Sequence, residues 1–172
     1  MGRALRILSS CLLLVGSSMA FAAAEEITWY DLLPPELREL QETPAPVHDI
    51  SALGEFDEEF GDPAVQMEPA APVVAEMQGR HIRLPGYIVP LGITEAMEVE
   101  EFLLVPYFGA CIHVPPPPSN QIVHVRSTSG IKLEDLYQPF WISGVINVEY
   151  MESELANAGY RIDGARVEPY VY

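Results

Sequence analysis

From Gly79 to its last residue, the chain is a succession of short apolar or alternating runs separated by Gly, Pro and Ser. Runs of this length and spacing predict β-strands joined by tight turns. Five or more such strands predict a mainly β fold, which we expect to be a small, partly open β-barrel of OB-like type with one or two short helices. A β-sandwich is the alternative. The clearest runs are RHIRLPGYIVPLG (80–92), EFLLVPYF (101–108), NQIVHVRS (120–127), PFWISGVINVEY (139–150) and RIDGARVEPYVY (161–172).

Three segments of different composition divide the chain. Residues 1–24 have the layout of a signal peptide, and residues 79–172 form the predicted β domain. Between them, residues 25–78 begin with a short helix and continue as an acidic loop rich in Pro and Ala. Pro34 and Pro35 suit the first turn of that helix, because a missing backbone N–H costs little there. Trp29 is predicted to anchor this segment on the β domain.

The first residues indicate export. Arg3 and Arg6 supply a positive region, a short apolar run follows, and small residues then offer a cleavage point after Ala22 or Ala24. The apolar run is too short to span a bilayer, so we expect no membrane insertion after cleavage. LSSC, ending at Cys11, resembles a lipobox, but the apolar residues follow this cysteine instead of preceding it. We therefore expect a soluble periplasmic protein, with a lipoprotein as the alternative.

Acidic residues dominate the charge of the chain. The formal net charge is −16, and removing Arg3 and Arg6 with the signal peptide would make it −18. A surface of this sign repels phosphate backbones, so the sequence argues against nucleic-acid binding. It attracts cations or basic partners, although strong charge also serves solubility.

Cys111 is the only cysteine that remains after the predicted signal peptide is removed, so an internal disulfide is excluded. If ACIHV (110–114) is extended, Cys111 and His113 point to the same face, because strand side chains alternate. A thiolate and an imidazole on one face can hold zinc or a similar ion. His124, on a following strand, is a third candidate ligand.

Two other interpretations of Cys111 stay open. It is either a small buried residue in the core, or a nucleophile whose thiolate is favoured by a nearby base. The close spacing of Cys111 and His113 is unusual for a nucleophile and its base, and no phosphate loop, serine elbow or HExxH element is present. The sequence therefore favours a non-enzymatic protein and identifies no catalytic residue.

The four prolines from Pro115 to Pro118 end the preceding segment, because proline cannot donate to a sheet and prefers polyproline II. They act either as a rigid spacer or as a docking ligand for a partner protein. Asn120 and Gln121 are predicted to bond backbone groups at the turn, or to support a ligand.

The sequence resembles a bacterial family of small exported proteins, domain-of-unknown-function family 3299. The resemblance rests on GYIVPL (86–91), EFLLVPYFGACIHVPPPPSNQIVHV (101–125), WISG (141–144) and AGYRIDGARVEPY (158–170). It implies an exported protein without an established activity, in a family whose members are often encoded beside ABC-transporter components of the kind associated with metal uptake. The residues that fall on the family motif are Cys111, His113, Pro115, Pro116, Pro117, Asn120 and Gln121. In this family an aromatic residue is common at the position of His124. An acidic residue often follows the PL pair, where this chain has Gly92.

Together these features predict a periplasmic accessory protein of an ABC-type transport system, with membrane transporter components as partners and zinc at Cys111 and His113. A structural interaction module that uses the proline turn is one alternative. A thiol-dependent enzyme is the other.

Overall fold

The computed structural model describes residues 23–38, 65–111 and 114–171. Most of the predicted signal peptide and of the acidic loop therefore lies outside the described residues. These residues form one short helix, α1 (Pro35–Arg38), and short 3-10 helices that include Trp29–Leu32, Ala75–Met77 and Ser119–Gln121. Their strands are β1 (Glu25–Glu26), β2 (Arg80–Pro90), β3 (Glu98–Val105), β4 (Val123–Lys132), β5 (Phe140–Met151) and β6 (Ala158–Pro169).

The strands pair in a ring-like order. β2, β3, β4, β6 and β5 are hydrogen-bonded in that sequence, and β5 pairs again with β2. All pairings in the ring are antiparallel except β4 with β6, which is parallel. The predicted mainly β class is confirmed. Because every strand belongs to one sheet, the order suits the partly open, OB-like barrel better than two stacked sheets.

β2 is one continuous strand, although Pro85-Gly86 predicts a kink or bulge within it. Arg80 to Gly86 pair with β5, whereas Tyr87 to Pro90 pair with β3. The Pro-Gly pair therefore marks the point where the strand changes its partner. β1 pairs in parallel with β2 at Ile82 and Arg83, a part of β2 that β3 does not reach.

Alternation along the strands separates two apolar clusters on opposite faces of the sheet. The inner cluster includes Phe102 and Leu104 of β3 with Val123 and Val125 of β4. The outer cluster is built from the intervening positions and from the segments that cover them. Its buried members are Val89, Leu103, Val105, Ala110, Ile122, Ala156 and Ala158.

The N-terminal segment docks on β2 through Trp29, as the sequence predicts. The indole N–H of Trp29 donates to the carbonyl oxygen of Pro85 at 2.7 Å. Gly86 permits this approach, because a Cβ at that position would lie 2.9 Å from the Trp29 ring and 2.8 Å from the carbonyl oxygen of Val105. The absence of a side chain at Gly86 therefore lets β3 and the indole both reach β2.

Tyr160 of β6 joins the same N-terminal segment to the ring. Its side chain is fully buried, and its hydroxyl donates to the carbonyl oxygen of Leu32 at 2.9 Å. The same hydroxyl accepts the backbone N–H of Val74 at 2.7 Å. One buried hydroxyl thus satisfies backbone groups from two segments that belong to no strand.

Candidate functional site

Cys111 lies in a tight turn and not in an extended strand. Its φ is +66°, and its N–H donates to the carbonyl oxygen of Val114 at 3.1 Å, while the N–H of Val114 donates to Gly109 at 3.2 Å. The condition for Cys111 and His113 to share a face, an extended ACIHV, is therefore not met at Cys111, because a left-handed residue breaks the strand alternation. His113 lies outside the described residues, so its position relative to the thiol stays a prediction.

The Cys111 thiol is free and half-buried. It packs against the outer apolar cluster, as do Tyr107, Leu91 and Met151. Desolvation by burial raises the pKa of Cys111 to about 11. The thiol is thus protonated near neutral pH, which opposes the thiolate that a nucleophile or a zinc ligand requires.

Alkylation tests this state of Cys111. Since a pKa of about 11 lowers the thiolate fraction, we expect iodoacetamide to modify the folded protein about tenfold more slowly than a typical unfolded cysteine near pH 7.5. A Cys11→Ser background confines the reaction to Cys111, and the same protein in denaturant provides the reference rate. Folded-state alkylation as fast as in denaturant would restore the thiol-enzyme interpretation.

The proline turn and the residues after it make their observed contacts within the protein. Pro116 and Pro117 are buried, whereas Pro115 is exposed. The Asn120 amide donates to the carbonyl oxygen of Pro72 at 2.7 Å, and the Gln121 amide donates to that of Trp29 at 3.0 Å. This geometry supports the spacer interpretation, because the buried proline faces are not available to a partner.

His124 belongs to a hydrogen-bonded cluster with Glu101 and Arg126 on the outer face of β3 and β4. Its Nε2 lies 2.9 Å from Oε1 of Glu101, and its side chain is 4% exposed. The Arg126 guanidinium reaches the same oxygen at 3.0 Å. Because a carboxylate only accepts hydrogen bonds, Nε2 carries the proton. Glu101 could not be recognised from the sequence, because nothing in the run of acidic residues before it gives the β3–β4 register.

Burial sets the protonation state of His124. Desolvation lowers its pKa despite the opposing charge of Glu101. Partial burial acts to raise the pKa of Glu101, but the hydrogen bonds and charges of Arg126 and His124 outweigh it and lower that pKa. Nδ1 of His124 is buried and has no hydrogen-bond partner among the described residues. The neutral imidazole fits this environment, because a second N–H would have no acceptor.

We expect the folded protein to become less stable in acid, because His124 must then be protonated. The unfolded chain binds the proton near the ordinary histidine pKa, while the folded chain resists it, so folding weakens as pH drops below about 6.5. In His124→Gln this contribution disappears, and the loss of unfolding free energy between neutral pH and about pH 5 becomes smaller than in wild type. Chemical unfolding at a series of pH values measures it. If the unfolding free energies of the two proteins change with pH in parallel, the lowered pKa of His124 is contradicted.

A cleft of about 490 Å³ opens beside this cluster. Glu101 and His124 form one side of it, and the β5–β6 loop, with Glu152 and Glu154, forms another. Apolar contacts come from Leu91, Met151 and Leu155. The hydroxyl of Ser153 accepts the N–H of Ala156 at 3.1 Å and donates to the carbonyl oxygen of the same residue at 2.5 Å, so this loop is held in place.

Metal ligands do not converge in the described part of the chain. No group of three His, Cys, Asp or Glu side chains there is arranged to hold an ion. Cys111 and His124 thus do not share a complete three-ligand site within the residues that the structure describes. Over those same ranges, no helix has the length and apolarity needed to cross a membrane.

The fold and the site define a small mainly β protein with an acidic cleft on the outer face of a strand ring. Residues 29–169 match the model of a protein of unknown function (DUF3299), and the chain belongs to this family. It is similar to the crystal structure of a DUF3299 family protein (PA4066) from Pseudomonas aeruginosa PAO1, with 50% identity, a TM-score of 0.71, and coverage of 88% of this chain and 99% of that one. No curated protein matches the chain.

Proposed function

We propose that the protein is a non-catalytic accessory protein of an ABC-type transport system, exported to the periplasm, and that it acts by binding. The observation that carries this proposal is the cleft between the β3–β4 face and the β5–β6 loop. Its combination of carboxylates, a buried imidazole and apolar side chains is typical of a binding site. The signal-peptide layout and the acidic composition support export and a cationic or basic ligand or partner.

The cleft chemistry opposes two other classes of ligand. Carboxylates at Glu101, Glu152 and Glu154 repel phosphate and sulfate groups, so nucleotides and nucleic acids are unsuitable. His124 and Glu101 are hydrogen-bonded to each other at 2.9 Å. The cleft lining contains one hydroxyl, that of Ser153, which is hydrogen-bonded within its own loop. This hydroxyl is therefore not poised beside the imidazole as a nucleophile beside its base.

Zinc binding at Cys111 and His113 is the second candidate function. The observation that bears on it is the left-handed backbone of Cys111, because this conformation is uncommon for non-glycine residues and occurs more often at functional sites. The described residues alone do not complete the site. Native mass spectrometry of wild type and Cys111→Ser tests the hypothesis: one zinc per wild-type chain and none in the variant would support it, and an empty wild type after zinc addition would exclude it.

Site-specific cross-linking in cells tests the accessory function. A photoreactive residue at Leu155, which is 39% exposed at the cleft, is expected to link to subunits of an ABC-type transporter. The same residue at Tyr137, which is 72% exposed elsewhere, is the control and should give no such link. Fractionation of the same cells should place the processed chain in the periplasm. A cytoplasmic chain, or equal cross-linking from the two positions, would refute the proposal.

A further inference from the structure

Three hydrogen-bond donors form a row across the outer face of β2, β5 and β6. In the strand register, Arg83 of β2 lies opposite Ser143 of β5, and Ser143 lies opposite Arg166 of β6. Side chains that are directly opposite in antiparallel strands project on one face, with Cβ atoms about 4.5 to 5.5 Å apart. All three line an open cleft of about 550 Å³. This cleft shares no lining residue with the cleft beside His124.

The guanidinium of Arg83 has unused donors. The other arginines in the described ranges each donate at least one hydrogen bond within the protein, whereas no described residue accepts one from the Arg83 side chain. Its contacts with Glu26 and Glu168, at 3.8 and 4.0 Å, are too long for hydrogen bonds. Nε of Arg83 is buried, but the side chain is 35% exposed. The edge formed by Nη1 and Nη2 is therefore the part that meets solvent.

Aromatic stacking fixes the orientation of this guanidinium. Its central carbon lies 4.2 Å from the centroid of the Trp141 ring, and Trp141 stacks on Tyr170 with a centroid distance of 5.0 Å and an interplanar angle of 25°. Stacking holds the flat face of a guanidinium and leaves the N–H groups at its edge free. Arg83 is thus oriented before any ligand arrives, which lowers the entropy cost of binding.

The charges around the row favour a ligand with a single negative charge. Both oxygens of Asp163 already accept from a neighbouring arginine, and Oε1 of Glu168 accepts from Arg166 at 2.9 Å. Because Glu26 and Glu168 stay within 4.0 Å of Arg83, a dianion such as phosphate meets stronger repulsion than a monoanion. A carboxylate has one charge, and its two oxygens match the paired N–H groups of a guanidinium.

From the unused donors of Arg83, its stacking on Trp141 and its alignment with Ser143 and Arg166, we propose that this cleft binds the carboxylate group of a small organic acid or of a peptide C-terminus. The Nη1 and Nη2 groups of Arg83 donate to the two carboxylate oxygens. The Ser143 hydroxyl, which has no hydrogen bond to another described residue, supplies a further donor. Val145 lies in the same lining and is 45% exposed, so it is available to the apolar part of the ligand. The site is independent of the proposed accessory function.

Titration of ¹⁵N-labelled protein with sodium acetate, followed by NMR, tests this inference. We expect saturable shifts of the backbone amides of Ser143 and Gly144, and Arg83→Gln should weaken acetate binding by about tenfold, because it removes a charged, two-pronged donor. Arg83→Lys keeps the charge without the planar edge and should weaken it by about fivefold. The matched control is Arg126→Gln, which removes the same charge at Glu101, outside this lining, and should leave the affinity within twofold. Sodium chloride at equal ionic strength controls for screening.

Several results would overturn the assignment. Equal shifts with chloride and acetate would mean that the amides respond only to salt, and tighter binding of inorganic phosphate would indicate a site for dianions. Full affinity in Arg83→Lys would indicate a point charge. The same spectra show whether each variant is folded, and if Arg83→Gln is not, Arg83→Lys and Ser143→Ala are the deciding variants.

A short peptide with a free C-terminus, compared with its amidated form, identifies the source of the carboxylate. Binding of the free form more tightly than acetate would assign the cleft to chain ends, and binding no tighter than acetate would assign it to small acids. Equal binding of the free and amidated peptides at the amides of Ser143 and Gly144 would refute the requirement for a carboxylate.

Discussion

Gly86→Ala is expected to destabilise the protein by about 2 to 3 kcal/mol, the upper part of the range for a group forced into a filled space. The added Cβ would lie 2.8 Å from the Val105 carbonyl oxygen, 2.9 Å from the Trp29 ring and 3.0 Å from a Leu104 methyl group. The carbonyl belongs to the backbone of the paired β3, so it cannot rotate away as a flexible side chain does. Either β3 or the indole must shift.

The matched control for Gly86 is Gly92→Ala. A Cβ at Gly92 would meet nothing within 4 Å, so its effect should stay within about 0.5 kcal/mol. Urea unfolding followed by circular dichroism measures both changes. In the double variant Gly86→Ala/Trp29→Ala, the contact with the indole is absent, and the contact with the Val105 carbonyl oxygen remains. If Gly86→Ala is as stable as Gly92→Ala, the tight approach of Trp29 and β3 to this position is incorrect.

Tyr160→Phe is expected to cost about 2 to 4 kcal/mol, because it leaves two buried backbone groups without a partner. The hydroxyl accepts the N–H of Val74 at 2.7 Å and donates to the carbonyl oxygen of Leu32 at 2.9 Å. Leu32 and Tyr160 are fully buried, so water does not replace the lost hydrogen bonds. The change removes one oxygen atom and little volume, which separates this effect from cavity formation.

Tyr137→Phe provides the control for the loss of a hydroxyl, because Tyr137 is 72% exposed. Its unfolding free energy should match wild type within about 0.5 kcal/mol. Hydrogen exchange adds a local measurement: the Val74 amide should lose protection in Tyr160→Phe and keep it in Tyr137→Phe. Unchanged protection at Val74 would show that the hydroxyl does not hold this segment.

Local patterns predicted the strands and the N-terminal anchor correctly. EFLLVPYF contains most of β3, and PFWISGVINVEY contains most of β5, because apolar runs bounded by turn residues have few alternatives to a strand. Trp29 was recognised because a large aromatic residue outside the β domain must bury its surface somewhere. His124 and Arg126 lie on one face of β4, as the period of two for strand side chains requires, and both bind Glu101.

Long-range pairing and one unusual backbone conformation were not predictable. The contact of β2 with β5 joins residues more than 50 positions apart, and no local pattern encodes which strands pair. At Cys111 the surrounding apolar residues indicate a strand, but hydrogen bonds among Gly109, Cys111 and Val114 impose φ of +66°. Hydrogen bonds within the turn, and not the apolar composition, therefore accompany the conformation there. The cleft was missed because its lining comes from four separate segments.

The pairing of β2 with both β3 and β5 has a consequence for the timing of folding. β2 is the first strand of the ring, but one of its two neighbours, β5, lies near the C-terminal end of the chain. The ring therefore cannot close until almost the whole polypeptide is available, and such high contact order makes closure slow. The chain therefore stays without its closed ring until its synthesis is almost complete.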